Sequence, residues 1–283
     1  MILDWNEVAL SIKNNLKKEN FASKYVGILL LSSDESSKTY VNLKKKFGNE
    51  LGLEVHIFSE ENKNINPFDK ESILEKINKL NSDKNCGWIM VQLPLNSFIV
   101  NYTWEILSFI DPQKDIDWLW GITFGLNLVE KINFLPATPK AVFEILDFYK
   151  INNLKGKKIL VIGQSNIVWK PLVLELMKKE AEVISINKYA EKDFLKKNSL
   201  EADYIISAAG VPNLITEEMV RKDFSQVIID VWFSKVDWKI YGDIDYENVK
   251  NLVKAITPVP GGVGPVTVAS IFKNMLFLVN NKI

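Results

Sequence analysis

The chain has one cysteine and one histidine in 283 residues. Cys86 alone excludes an internal disulfide, and His56 alone leaves no material for a histidine-rich metal site, so no metal is expected. Net charge is also missing as a signal: 35 lysines and arginines balance 35 aspartates and glutamates, which advertises no basic face for nucleic acid. No apolar run approaches the roughly 18 residues of a membrane span. The N-terminus, Met1-Ile-Leu-Asp-Trp-Asn-Glu, lacks the pattern of a signal peptide, so a cytoplasmic protein is expected. Glycine is scarce as well, at 13 residues where ordinary usage of about 7% predicts roughly 20. His56 lies in an apolar strand-like run, Leu53–Phe58, and reads as structural. Any catalysis must then rest on lysine, tyrosine, aspartate and glutamine.

What is present is a soluble, core-forming composition, 47% hydrophobic and 25% charged, long enough for one large domain or two ordinary ones. Apolar runs of strand length at Tyr25–Leu31, Leu53–Phe58 and Trp88–Leu93 alternate with helical patterns at Lys38–Leu51, Lys70–Leu80 and Asn101–Ile110. That order is the βαβ pattern of a mostly parallel sheet covered by helices. A second series begins after Pro136-Ala-Thr-Pro139. It has a helix at Lys140–Tyr149, a strand Lys158–Ile162, the turn Gly163-Gln-Ser-Asn-Ile-Val-Trp-Lys-Pro171, a helix at 172–180 and a strand Glu182–Asn187. Strand, glycine turn, helix and strand make a dinucleotide-binding half-fold, although the full Gly-x-Gly-x-x-Gly is absent. The second strand ends Ile186-Asn-Lys188 with no acidic residue for a ribose 2′-hydroxyl, which favours NADP over NAD. Further strands are expected at Tyr204–Ala208, Val227–Val231 and Leu252–Ile256.

Three segments could carry chemistry. Tyr40 and Lys44 stand i and i+4 on one helix, so they share a face. A buried lysine with a lowered pKa can act as a general acid or base near neutrality, whereas Lys45 and Lys46 next to it leave open a merely solvated lysine face. Gln92-Leu-Pro ends the third strand, at the edge where ligands of parallel sheets bind. Ile256–Thr267, with three glycines and three prolines in twelve residues, is a shaped loop between a strand end and the helix 266–279.

Together these pieces resemble the bifunctional methylenetetrahydrofolate dehydrogenase/methenyltetrahydrofolate cyclohydrolase family over nearly the full length. The resemblance rests on Ser37-x-x-Tyr40-Val-x-x-Lys44, Val91-Gln-Leu-Pro-Leu95, Lys114-Asp-Ile-Asp117, Pro136-x-Thr-Pro139, Gly163-x-Ser-x-Ile-Val168 and Ile256-Thr-Pro-Val-Pro-Gly-Gly-Val-Gly-Pro265. It implies an α/β fold in two parts. Residues 1–136 and 261–283 would form a three-layer folate and catalytic domain, residues 137–260 a Rossmann-like NADP-binding domain, and the last helix would return to the first domain. It implies oxidation of 5,10-methylenetetrahydrofolate with NADP and hydrolysis of the methenyl product to 10-formyltetrahydrofolate, in a cytoplasmic homodimer serving one-carbon metabolism and purine biosynthesis. Lys44 would be the general acid/base, with Tyr40 orienting the folate, Gln92 tuning Lys44 and Asp117 on the pterin edge. Pro260, Gly261, Gly262 and Pro265 would hold the substrate. Thr138, Gly163, Gln164, Ser165, Lys188 and Phe233 would contact the cofactor.

The departures from the family form a pattern. Trp5, Trp88, Trp118, Trp169, Trp232 and Trp238 all stand on family glycines, six of the eight tryptophans in the chain. The largest side chain is a poor substitute for the smallest where backbone must approach a ligand or take a positive φ. A UGA codon read as tryptophan, in a gene whose own cell reads it as glycine, would produce this substitution; restoring six glycines to 13 gives 19, close to ordinary usage. The competing expectation is a degenerate homologue that keeps only cyclohydrolase activity, or that binds folate without catalysis. Asn187, Thr123, Ala137 and Ala141 also differ from residues common in the family.

Overall fold

The computed structural model describes residues 1–21, 24–117, 119, 121–132, 134–165, 168–187, 189–236, 239–259 and 263–280, with backbone alone at 121–124 and 233–236. In chain order the elements are α1 (Trp5–Leu16), β1 (Tyr25–Leu30), α2 (Glu35–Glu50), β2 (Val55–Phe58), α3 (Lys70–Ser82), β3 (Cys86–Gln92), α4 (Thr103–Ser108), α5 (Gly121–Leu128) and α6 (Ala137–Phe148). Then come β4 (Lys158–Ile162), α7 (Trp169–Lys178), β5 (Glu182–Ile186), α8 (Lys192–Glu201), β6 (Tyr204–Ser207), β7 (Val227–Asp230), β8 (Phe233–Val236), β9 (Lys239–Gly242), α9 (Tyr246–Val249), β10 (Ala255–Ile256) and α10 (Gly264–Asn280). The chain divides into two compact units, one of residues 12–137 with 268–283 and the other of residues 1–11 with 138–267. The first eleven residues join the second group because Leu3 N–H donates to Ile256 O at 2.9 Å and Ile256 N–H donates to Met1 O at 3.1 Å. Among the described residues no helix is long and apolar enough to cross a membrane.

The unit of residues 12–137 and 268–283 holds a three-stranded parallel sheet in the order β2-β1-β3. All seven residues of β3 are buried, as expected for a parallel strand covered on both faces. Tyr25 pairs with Cys86 and Val26 with Trp88, so Gly87 is an extra residue in β3. Trp88 itself is buried, edge-on to Phe21 with ring centroids 6.2 Å apart.

Helix α2 starts at an Asp34 N-cap, whose carboxylate accepts from the Ser37 N–H at 2.9 Å. Its inward stripe is Ser37, Val41, Lys44 and Gly48, successive steps of four, three and four residues. A side chain at Gly48 would fall 2.6 Å from Val55 Cγ2 and 3.1 Å from the Phe272 ring, so the helix comes down on β2 and α10 only because that residue is glycine. Phe47 stacks on Phe272 at 5.1 Å, which is one attachment of α10 to this unit. Another is Asn274, fully buried, whose Nδ2 donates to Ile116 O at 3.0 Å and Leu135 O at 3.2 Å.

The other unit holds a five-stranded parallel sheet in the order β10-β7-β6-β4-β5, with β8 and β9 as a separate antiparallel hairpin. The chain passes from β4 to β5 on one side and returns to β6 on the other. The crevice at the C-terminal ends of β4 and β6 is therefore the switch point at which doubly wound sheets take ligands. Two expected elements come out shorter than their apolar patterns. Leu252–Ile256 yields only the two residues of β10, because Leu252 N–H closes a turn onto Val249 O. Asn101–Ile110 is split into a 3-10 turn at Val100–Tyr102 and the six residues of α4.

Asn274→Ala removes both donors to buried carbonyls, so a loss of about 2 kcal/mol or more is expected in urea unfolding of the whole chain. An Asn274→Ala protein as stable as its parent would show that these bonds do not hold α10 in place.

Candidate active site

Lys44 is placed by the geometry of α2. The stripe that contains Val41 and Gly48 must face inward, and a residue three after Val41 goes with it. Lys44 is accordingly only 5% exposed, whereas Lys45 and Lys46 face solvent, which settles the choice between a solvated face and a buried amine. Its Nζ donates to Gln92 Oε1 at 2.6 Å. Gln92, the last residue of β3, is held the other way round by its amide nitrogen, which donates to Leu93 O at 2.6 Å. The backbone bond thus fixes which end of the amide meets the lysine, and that end is an acceptor.

Asp117 arrives on a loop sewn to β3. Ile89 N–H donates to Lys114 O at 2.7 Å and Ile116 N–H to Ile89 O at 3.3 Å. Asp115 Oδ1 accepts from the Asp117 N–H at 3.1 Å. Lys114 ends α3 by donating to the carbonyls of Leu80, Asn81 and Asp83 at 2.9, 2.7 and 2.9 Å. Each residue of Lys114-Asp-Ile-Asp117 thereby has a task, of which the sequence suggested only the last.

Burial lowers the Lys44 pKa to about 8, and the neighbouring Asp117 carboxylate works against that shift. Asp117 is half-buried, and crowding by protein raises its carboxyl while Lys44 draws it back down. Tyr40, one turn before Lys44 on the same helix, is half-buried; burial raises its phenol, which stays protonated. Lys44, Gln92 and Asp117 are thus brought together: an amine close to neutrality, an acceptor for its proton and a carboxylate within electrostatic reach. Such a group can both take and give a proton near neutral pH.

In the other unit, Gly163 follows β4 with φ +126°, a conformation open to glycine, and its N–H donates to Ile186 O at 2.7 Å. Gln164 and Ser165 are exposed, with Gln164 Nε2 on Ser185 O at 3.4 Å and Ser165 Oγ accepting from the Val168 N–H at 3.3 Å. Thr138 is the second residue of α6, Phe233 opens β8 and Pro265 is in the first turn of α10. Lys188, Pro260, Gly261 and Gly262 lie outside the described residues, as do Trp118 and Trp238.

Two features mark the C-terminal edge of this sheet, a pair of aspartates with no sequence signal beyond an acidic residue ending an apolar run, and a tryptophan already singled out as standing on a family glycine. Asp243 accepts from Ser207 Oγ at 2.7 Å and from the N–H groups of Ala209 and Val211 at 2.6 and 2.8 Å. Asp230, fully buried, accepts from the Ile244 N–H at 3.1 Å. Burial first, and the Asp243 charge second, push its carboxyl well above the usual range. The second feature is Trp169, 2% exposed at the start of α7, whose indole occupies the space a side chain on Gly163 would take. A dinucleotide pyrophosphate needs the glycine turn and the helix N-terminus to approach it together. With an indole wedged between them, the turn does not fit that group.

A parallel α/β unit carrying a buried, near-neutral lysine, joined in one chain to a dinucleotide-binding half-fold, defines a class of two-unit α/β enzymes. Residues 3–117 match the tetrahydrofolate dehydrogenase/cyclohydrolase catalytic domain, and residues 136–283 match the NAD(P)-binding domain of the same family. The chain belongs to the tetrahydrofolate dehydrogenase/cyclohydrolase family. It is 39% identical to the bifunctional protein FolD of a Sulfurihydrogenibium species, over 100% of this chain and 99% of that one. The crystal structure of the bifunctional enzyme FolD from Campylobacter jejuni superposes with a TM-score of 0.89 at 33% identity, covering 100% of this chain and 99% of that one. The Trypanosoma brucei enzyme, solved with NADP cofactor and inhibitor, has a TM-score of 0.87 at 27% identity and covers 99% of this chain and 97% of its own.

Lys44 binds fewer protons in the folded state, at a pKa of about 8, than in the unfolded chain at 10.5. The cost of burying its charge is full below pH 8 and disappears above 10.5. Measured against Lys44→Met by urea titration, the parent should therefore gain about 3 kcal/mol as pH rises through that window. Parallel pH curves for the two proteins would contradict the buried, depressed lysine.

Proposed function

We propose that this chain oxidises 5,10-methylenetetrahydrofolate to 5,10-methenyltetrahydrofolate with NADP and hydrolyses the methenyl product to 10-formyltetrahydrofolate. The observation that carries this reading is the buried Lys44 amine bonded to Gln92, in a chain that matches the family from end to end. The residue roles follow from the chemistry of the second step. The methenyl group is a cation delocalised over two nitrogens, so its carbon is open to water once a base removes a proton. Neutral Lys44 takes that proton as the C–O bond forms. The product keeps the carbon on N10, so the bond to N5 must break; the Lys44 ammonium returns the proton to N5 as it does, and the remaining hydroxyl proton leaves to solvent as the formyl C=O forms, one proton being released per turnover.

A pKa of about 8 leaves about a tenth of Lys44 neutral at pH 7. The positive substrate beside it lowers that pKa further and favours the basic form. Gln92 is neutral and presents an acceptor, so it orients the amine without adding a charge that would hold the proton there. Asp117 supplies the balancing charge and binds the pterin edge, and Tyr40 lies along the folate. Pro260, Gly261, Gly262 and Pro265 complete the substrate site. Thr138, Gly163, Gln164, Ser165, Lys188 and Phe233 are assigned to NADP. The same reading makes the enzyme a cytoplasmic homodimer whose 10-formyl product serves purine biosynthesis.

Methenyltetrahydrofolate hydrolysis, corrected for the uncatalysed reaction, is expected to rise with pH to a plateau with a midpoint near or below 8. Lys44→Ala should reduce it by about a hundredfold or more. Gln92→Glu places a carboxylate on the amine, so it should move the midpoint upward and depress the rate at pH 7. Hydrolysis that survives Lys44→Ala would sink this assignment.

A further inference from the structure

The conflict at the β4–α7 turn has a specific source. Three atoms of the Trp169 indole, Nε1, Cε2 and Cζ2, crowd the side-chain position of Gly163. The ring is packed against the residue whose φ of +126° shapes the turn. Val168, which precedes the helix, has no side-chain cap bond to α7. Nearby donors are already engaged within the loop: Val168 N–H reaches Ser165 Oγ at 3.3 Å and Lys170 N–H reaches Ser165 O at 3.3 Å. A phosphate therefore meets indole where it should meet backbone.

A second tryptophan stands at the same edge of the same sheet. Trp232 lies two residues beyond β7, is 51% exposed, and its Cδ1 would be 3.5 Å from a side chain on Gly210, which follows β6 with φ +69°. Its indole therefore stands in solvent at the edge where doubly wound sheets take their ligands. Trp88, in the other unit, directly follows the extra residue Gly87 in β3. Two of the tryptophans thus stand against positive-φ glycines at one sheet edge, in a chain that has few glycines.

We propose that tryptophan at residue 169 closes the nucleotide turn, and that residues 5, 88, 118, 169, 232 and 238 are glycine in the enzyme as its own cell makes it, encoded by UGA codons read as glycine. This inference rests on the assignment of NADP as oxidant. Removing the indole clears the space against Gly163 through which a pyrophosphate approaches the turn backbone, and glycine at 232 clears the end of β7. The enzyme's two activities would then coexist in its own cell, while expression with tryptophan at these positions yields a chain whose folate unit is sound and whose nucleotide unit is shut.

The decisive observations are the six codons, the amino acid carried by the source cell's UGA-reading tRNA, and NADPH binding by the full chain. Binding is read from the change in NADPH fluorescence, without any substrate present. UGA codons with a glycine tRNA support the proposal, and UGG codons overturn it. NADPH binding should tighten by about a hundredfold, or first become measurable, on Trp169→Gly. Trp169→Ala tests the same opening should glycine loosen the helix start, and the variant with all six glycines tests the full set. A tryptophan-bearing chain that binds NADPH as tightly as Trp169→Gly overturns the closure. Methenyltetrahydrofolate hydrolysis in the unaltered chain, and its loss in Lys44→Ala, separates failure of this proposal from failure of the functional assignment.

Discussion

The structure turns on the burial of one amine. Lys44 lies on a helix stripe whose other members are a valine, a serine and a glycine, and the packing that buries them buries it. Removal from water alone moves its pKa to about 8. Everything around it limits that shift or directs it. Gln92 gives the proton a neutral acceptor, Asp117 keeps the charged form accessible, and the loop sewn to β3 by Ile89 keeps Asp117 at its post. A carboxylate in place of Gln92 would undo by charge what burial achieves by desolvation.

The nucleotide unit is organised by a different polar interior. Asp243 gathers a hydroxyl and two backbone N–H groups beyond β6, while burial and the neighbouring Asp243 raise the carboxyl of Asp230 beside it. Thr257, fully buried after β10, accepts from the Asp230 N–H at 2.7 Å and ties the last strand to this edge. The ends of three parallel strands are thus tied together by hydrogen bonds. That is a suitable platform for a ligand at the switch point, and it makes the two indoles at the same edge the more discordant.

Much of the fold was legible in the amino-acid pattern, because parallel strands buried on both faces are written as largely apolar runs. Tyr25–Leu31 and Trp88–Leu93 are such runs, and both are strands. Leu252–Ile256, apolar but for Lys254, reads in the same way, yet most of it is a turn; apolar composition reports burial and not pairing. The hairpin of β8 and β9 escaped notice because Phe233–Val236 mixes polar and apolar residues and its partner is short. At the site, spacing alone put Tyr40 and Lys44 on one face but could not say which face was covered. That depended on α10, more than two hundred residues further on. Lys114, Asp115 and Asn274 act by holding backbone carbonyls or N–H groups in distant segments, and no local pattern announces such a partnership.

Gly48 contributes no side chain, yet it sets how deep α2 lies. A β-carbon there would meet Val55 and Phe272, and the helix would have to ride up on its neighbours by the width of that atom. One turn away, the amine of Lys44 would rise with it towards water, and the acidity that depends on its dryness would relax towards that of any surface lysine. The proton affinity of Lys44 is in this sense gauged by a hydrogen atom: the helix is a plunger, and the missing side chain is its stop.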